Sequence, residues 1–200
     1  VQKSQINIIE GMLRLRQIAC DPRLYEPDTQ APSAKLELLV EKLREDVIEN
    51  HKALVFSQFT TLLDYCGKAL DAENIPFAYL DGSTRDRAKA IEEFTSQSEK
   101  RVFLISLKAG GTGLNLTCAD YVFHLDPWWN PAVEAQATGR AYRMGQKNAV
   151  QSIKLVASNT IEEKILQLQE NKRKLASAVL QSDHGFVKSL DADLVRELFS

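Results

Sequence analysis

Apolar and polar positions first follow a helical period along this chain, then give way to short, almost wholly apolar runs. Gln5 to Ala19 repeats at helical spacing and stops at Cys20-Asp21-Pro22, where proline cannot continue a helix. A polar, proline-containing linker follows from Glu26 to Pro32. Ser33 is then placed to cap a helix with Leu36, Leu39, Val40, Leu43 and Val47 at helical spacing. From Lys52 the pattern changes. Ala53–Phe56 reads as a short buried strand, and Phe77–Leu80, Val102–Ile105, Tyr121–Leu125 and Ser152–Val156 as four further strands. Helical patterns lie between them, from Thr61 to about Glu73, from a Thr84 cap to about Phe94, and onward from Pro131. Thr160-Ile-Glu-Glu163 has capping-box spacing for a last long helix through Ile161, Ile165, Leu168, Leu175 and Val179. Phe186 to Ser200 reads as a short amphipathic tail.

Strands alternating with helices at this spacing predict an α/β fold. The sheet is expected to be mainly parallel, with helices on both faces and flanking helices at both ends. Three regions result: a helical lead-in over 1–50, the sheet-bearing lobe over 51–158, and a brace helix with its tail over 159–200. In such sheets ligands gather outside the carboxyl ends of the strands. Four strand ends carry polar or glycine-rich punctuation: Ser57-Gln58, Asp81-Gly82, Ser106-Leu-Lys108 and Asp126-Pro-Trp-Trp129. Glycine and aspartate would satisfy any turn, but a tryptophan pair on a loop is not explained that way.

Composition narrows the classes. Two hundred residues with 44% apolar content suit one compact domain with a real core. The formal net charge of −2 argues against a generic nucleic-acid coat protein, yet leaves room for a local phosphate-binding groove. No apolar run is long enough to span a bilayer and no signal peptide opens the chain, so no membrane partner is expected. Cys20, Cys66 and Cys118 are odd in number and far apart, which fits a reducing, intracellular compartment, the nucleus or a bacterial cytoplasm. No Cys/His spacing resembles a zinc site, and His51, His124 and His184 stand apart, so no metal ligands are expected. The chain opens inside a helical pattern without an initiator methionine. We therefore expect a piece of a longer protein, with no further domain after Ser200.

Two stretches carry candidate chemistry. On a helix from Pro131, Gln136, Arg140 and Arg143 would share one face at i, i+4 and i+7, with Gly139 leaving room beside them. Two guanidiniums and an amide on one stripe make a receptor for a polyphosphate; an exposed helix with solvated arginines is the other reading. Gly110-Gly-Thr-Gly113 follows a strand, and glycines there let backbone N–H groups approach a phosphate or sugar, although a tight turn needs them equally. Nowhere is there a Walker loop, because no Gly-Lys-Ser/Thr follows at the required spacing. No Asp-Glu pair closes a strand to hold Mg²⁺. This chain cannot by itself contain a complete ATPase site.

Five motifs in order give a resemblance. Leu54-Val-Phe-Ser-Gln-Phe59, Leu80-Asp-Gly-Ser-Thr84, Ser106 through Gly110-Gly-Thr-Gly113 to Leu116, Asp126-Pro-Trp-Trp-Asn-Pro131 and Gln136 to Gln146 resemble Swi/Snf-type ATPases, DNA translocases of helicase superfamily two. Leu13 to Pro22 and Thr160 to Val179 resemble elements flanking the family's second lobe. The resemblance implies a second RecA-like lobe whose Walker loop and Mg²⁺ ligands lie on an absent N-terminal lobe, with ATP between the two. It assigns Arg140 and Arg143 as arginine fingers supported by Gln136. The loop glycines Gly111 and Gly113, with Asn115, are placed near the nucleotide. The opposite rim is assigned to the backbone of double-stranded DNA through Ser57, Gln58, Ser106, Lys108, Trp129 and Asn130. The implied partners are double-stranded DNA, the N-terminal lobe and a DNA-bound target protein. A catalytically retired interaction domain and the lobe of a strand-separating helicase are the alternatives. Tyr142 and Gly139 depart from the family pattern, where His and Asp are common.

Overall fold

In a computed structural model, which describes residues 2–47, 51–110, 114–142, 146 and 148–181, the strand and helix periods fold as one α/β unit. Helix α1 (Gln2–Cys20) ends where Asp21 caps a short 3-10 turn, Pro22–Leu24. Helix α2 (Ala34–Lys42) starts as expected, with Ser33 Oγ accepting from Leu36 N, and widens into a π-turn at Leu43–Val47. The order is then β1 (Ala53–Ser57), α3 (Thr60–Ala72), β2 (Phe77–Leu80), α4 (Arg87–Ser96), β3 (Val102–Ser106), the single turn α5 (Leu107–Gly110), β4 (Tyr121–His124), α6 (Pro131–Thr138), β5 (Gln151–Lys154) and α7 (Ile161–Gln181).

The five strands form one sheet in the order β2-β3-β1-β4-β5, and every pair is parallel. All residues of β1 and β3 are buried, which is why they read as unbroken apolar runs. Alternation along each strand divides the core in two. Val55, Leu104 and Phe123 join Leu36, Leu39 and Leu43 of the α2 region and Leu63 and Leu70 of α3 on one face. Leu54, Phe56, Phe103 and Ile105 meet Phe94 of α4 and Ala137 of α6 on the other. The lead-in's second helix is thus continuous with the sheet's core. Register matters for function: Ser57 pairs with Ser106, and Phe56 with both Ile105 and His124. The carboxyl ends of β1, β3 and β4 are therefore level, and the residues after them share one edge.

Three local expectations are corrected. Thr84 does not cap α4. Its N–H and hydroxyl are held by Asp81 Oδ1 in a tight turn, and Asp86 caps instead by accepting from Lys89 N at 2.9 Å. The presumed loop after Ser106 begins with the turn of α5. At α7, Thr160 Oγ1 accepts from Glu162 N, while Glu163 reaches back to Asn159 N at 3.1 Å rather than to Thr160. The tail Phe186–Ser200 lies outside the described residues.

Leu39 has no exposed surface although it stands in the lead-in. Leu39→Ala should lower unfolding free energy by about 2–5 kcal/mol in urea titrations, the cost of a core cavity. A loss below about 0.5 kcal/mol, the size of an ordinary surface effect, would detach α2 from the core.

Candidate functional site

At the level edge, one carboxylate collects the ends of β1 and β4. Asp126 is fully buried; its Oδ2 accepts from the Ser57 hydroxyl and from Gln58 N at 3.2 Å. Burial pushes the Asp126 carboxyl up to about 6, held back by the Ser57 hydroxyl and by Arg16 and Lys35. Arg16 arrives from α1. Its guanidinium lies 3.8 Å from Asp126, donates to Pro127 O at 2.9 Å and to Gln58 Oε1 at 3.3 Å, and is 3% exposed. Three rings surround it, with centroids at 5.8 Å (Phe59), 5.5 Å (Trp128) and 5.3 Å (Trp129). Lys35, just inside α2, donates to Leu125 O at 2.7 Å and to Glu162 at 2.6 Å, while the other Glu162 oxygen accepts from Ala157 N. Cys20 donates its thiol to the same Glu162, and burial pushes that thiol well up, which leaves it protonated and inert.

A second buried network holds the tryptophan loop from its far side. Glu134 of α6 accepts from Trp128 N at 2.6 Å and from Gln169 Nε2 at 2.8 Å, and it pairs with Lys154. Lys154 also donates to Gln169 Oε1 at 2.9 Å. Asn130 caps α6 by accepting from Ala132 N. His124 Nε2 meets Thr138 Oγ1 at 3.1 Å, and its ring stacks on Phe56 at 5.8 Å.

The candidates drawn from sequence fall into groups. Lys108 and Asn130 are exposed on the edge, and Gln58 is half-buried there. Ser57 and Ser106 are buried just beneath that edge. Ser57 is committed to Asp126 and to Phe59 N, and Ser106 Oγ accepts from Ala109 N. Trp129 is half-buried, its ring packed against the cluster of Met12, Ile161, Ile165 and Leu168 and beneath Arg16, between α1 and α7. Trp128 packs with the core behind α6.

The arginine stripe is also corrected. Helix α6 ends at Thr138, with Gly139 as its C-cap, so Gln136 is exposed while Arg140 lies beyond the helix and is 3% exposed. Arg140 instead stands beside the glycine loop's return, its carbonyl accepting from Leu116 N at 3.1 Å, next to exposed Asn115. Arg143, Gly111 and Gly113 lie outside the described residues. Gln146 is a clasp, donating to the carbonyls of Ala119 and Ala141. Arg16, Lys35 and Glu162 escaped the sequence reading. A signal existed for the first: Met12, Arg16 and Cys20 follow one another at i, i+4 and i+8, so Arg16 occupies the buried stripe of α1. Among the described residues, no group of three or more His, Cys, Asp or Glu could hold a metal ion, and no helix is long and apolar enough to cross a membrane.

With this geometry in place, comparison with known proteins defines the class. Residues 34–145, more than half of the chain, match the helicase conserved C-terminal domain. An uncharacterized ATP-dependent helicase of Mycoplasma pneumoniae is 39% identical over 199 residues, covering 98% of this chain and 19% of that protein. The DNA repair protein RAD5 of Gibberella zeae is 42% identical over 181 residues, 88% of this chain and 16% of that protein. The Sulfolobus solfataricus SWI2/SNF2 ATPase core domain superposes with a TM-score of 0.71 at 31% identity, covering 96% of this chain and 40% of that one. The chain thus spans about a fifth of the length of these curated relatives. It belongs to the helicase C-terminal domain family, as the C-terminal RecA-like lobe of a Swi/Snf-type ATPase of superfamily two.

His124 sits in a site that favours its neutral form: burial lowers it to about 4, with Glu134 pulling it up and Lys154 down. An unfolded histidine titrates near 6.5, so the stability from a neutral buried ring is complete above that pH. It is lost as pH falls toward 4, on the order of 3 kcal/mol. Asp126, raised to about 6, runs the opposite way and loses its contribution as pH rises through that value. His124→Gln should therefore make the urea midpoint at pH 4.5 rise relative to that at pH 6.5, compared with wild type. An unchanged difference would mean that the ring is not held neutral.

Proposed function

We propose that this lobe is the C-terminal half of an ATP-driven motor that tracks one strand of double-stranded DNA and remodels a protein bound there without separating the strands. The observation that carries the reading is the meeting of Arg140 with the glycine-loop return, in a chain that has no phosphate-binding lysine loop of its own. A half-site of that kind is complete only when a second lobe supplies the lysine and the Mg²⁺ ligands.

The residues suit a polyphosphate. Arg140 and Arg143, with Gln136, would face the triphosphate, and Gly111, Gly113 and Asn115 would line the sugar side. ATP with Mg²⁺ would supply the phosphoryl group in transfer. What this chain adds is planar positive charge on the equatorial oxygens, a contribution worth about 10³–10⁵ in rate in related enzymes. Lysine would not replace it, lacking the fork geometry. Arg140, buried and tied through its carbonyl to Leu116 N, would contact phosphate from within the lobe, with Arg143 as the second finger.

The DNA rim is proposed for the donors left at the strand ends: Lys108 and Asn130, beside half-buried Gln58. Ammonium and amide donors hold phosphate oxygens without reading base sequence, as a translocase requires. Buried Ser57 and Ser106 shape that rim from beneath. The names of relatives, an ATP-dependent helicase and a DNA repair protein, support nucleotide use and DNA as the track.

In the full-length protein, Arg143→Ala should lower kcat for ATP by about 10³ or more while duplex affinity changes little. Lys108→Ala should do the converse, weakening DNA equally across sequences and reducing the salt slope by about 1. Should Arg143→Ala abolish DNA binding and spare turnover, the two edges have been exchanged.

A further inference from the structure

The exposed Lys108 of the proposed DNA rim stands on α5, a helix of one turn. We infer that Arg87 is a positioning residue for that lysine: from the start of α4 it caps the carbonyl end of α5 and so fixes where the Lys108 ammonium meets a DNA phosphate. This rests on the rim proposed above and adds the device that holds it.

A single helical turn has little stability of its own. Forming it fixes several backbone dihedrals for very few hydrogen bonds, and the carbonyls of a last turn have no acceptor role inside the helix. Leu107–Gly110 must therefore be held from outside, and three contacts do so. At its amino end, Ser106 Oγ accepts from Ala109 N at 3.3 Å. Beneath it, Leu107 and Ala109 join the core cluster of Phe56 and Ile105, and a Cβ added to Gly110 would stand 3.0 Å from the Phe56 ring. At its carbonyl end, Arg87 Nη2 donates to Ala109 O at 2.6 Å. A basic side chain is well suited to that place, because it is a donor alone and meets the negative end of the turn.

The capping arginine is itself anchored. Asp86 caps α4 by accepting from Lys89 N at 2.9 Å, and Asp81 Oδ1 holds the preceding turn through Ser83 N and Thr84 N. Leu80 pairs with Ile105, which brings that turn level with Ser106 at the end of β3. Arg87 is half-buried, whereas Lys108, one residue before the capped carbonyl, is exposed. The cap thus acts on the backbone beside the lysine and leaves the ammonium for phosphate. Without it the turn could open, and Lys108 would have to be ordered again for each contact, which weakens binding.

The test uses the full-length protein, Arg87→Met, Lys108→Ala and their combination. Methionine keeps an unbranched stem and removes the donors. Arg87→Met should raise the duplex-DNA concentration for half-maximal ATP turnover by about three- to tenfold, the range of one lost hydrogen bond. Turnover at saturating DNA should stay within about twofold of wild type, a split that general loss of structure would not produce. Because Arg87 acts through Lys108, Arg87→Met in the Lys108→Ala background should add less than about twofold to the DNA shift. Nor should it lower the salt slope beyond the fall of about 1 that Lys108→Ala causes alone. Additive losses overturn the inference; a further fall of about 1 in the slope would then make Arg87 a phosphate contact in its own right. A wild-type DNA response in Arg87→Met overturns it too. If Lys108→Ala leaves the DNA response unchanged, the rim reading fails first and takes this inference with it.

Discussion

The buried carboxylate of Asp126 is the constraint on which the rest of this lobe's working edge depends. A charge taken out of water must find partners or be neutralised. Here the partners come from elements far apart in sequence: Ser57 and Gln58 after β1, Arg16 on α1 and Lys35 on α2. Lys35 then passes the demand to Glu162 at the start of α7. Apolar helices can slide over a sheet at small cost, but a charge pair at this depth fixes their register. Removing one partner of such a buried pair typically costs about 3–5 kcal/mol. The lead-in and brace helices are therefore keyed to the strand ends where the chemistry is expected.

That keying gives helix α6 a mechanical role. Its amino end is capped by Asn130 on the proposed DNA rim, and Arg140 follows its carboxyl end, its carbonyl accepting from Leu116 N. Glu134 in its middle is held by Trp128 N, Gln169 and Lys154, so the helix moves as a piece with the tryptophan loop. One short helix thus spans the proposed nucleotide and DNA edges.

Much of this was legible in the sequence, for physical reasons that also explain what was hidden. The three central strands announced themselves because both of their faces are covered, which demands unbroken apolar runs such as Val102–Ile105. Loop and cap details were harder. Thr84 had a competitor three residues earlier in Asp81, and local spacing does not reveal which side chain captures a free N–H. Gly139 was read as a spacer on a continuing helix, whereas the helix ends there, with Gly139 still in a right-handed conformation. That single difference moved Arg140 from an exposed stripe to a buried position. Arg16 was hidden most deeply. Its carbonyl partner Pro127 is 111 residues away, and no period within α1 records an acceptor at that distance.

The central claim is that this chain holds one side of an ATP site, and the most direct measurement is ATP turnover with and without duplex DNA. The 200-residue chain alone should show none above background, and turnover that DNA stimulates should appear when it is joined to an upstream lobe bearing a phosphate-binding lysine. DNA-stimulated hydrolysis by the chain alone would contradict the account, because it would require a complete site among residues that contain no such loop.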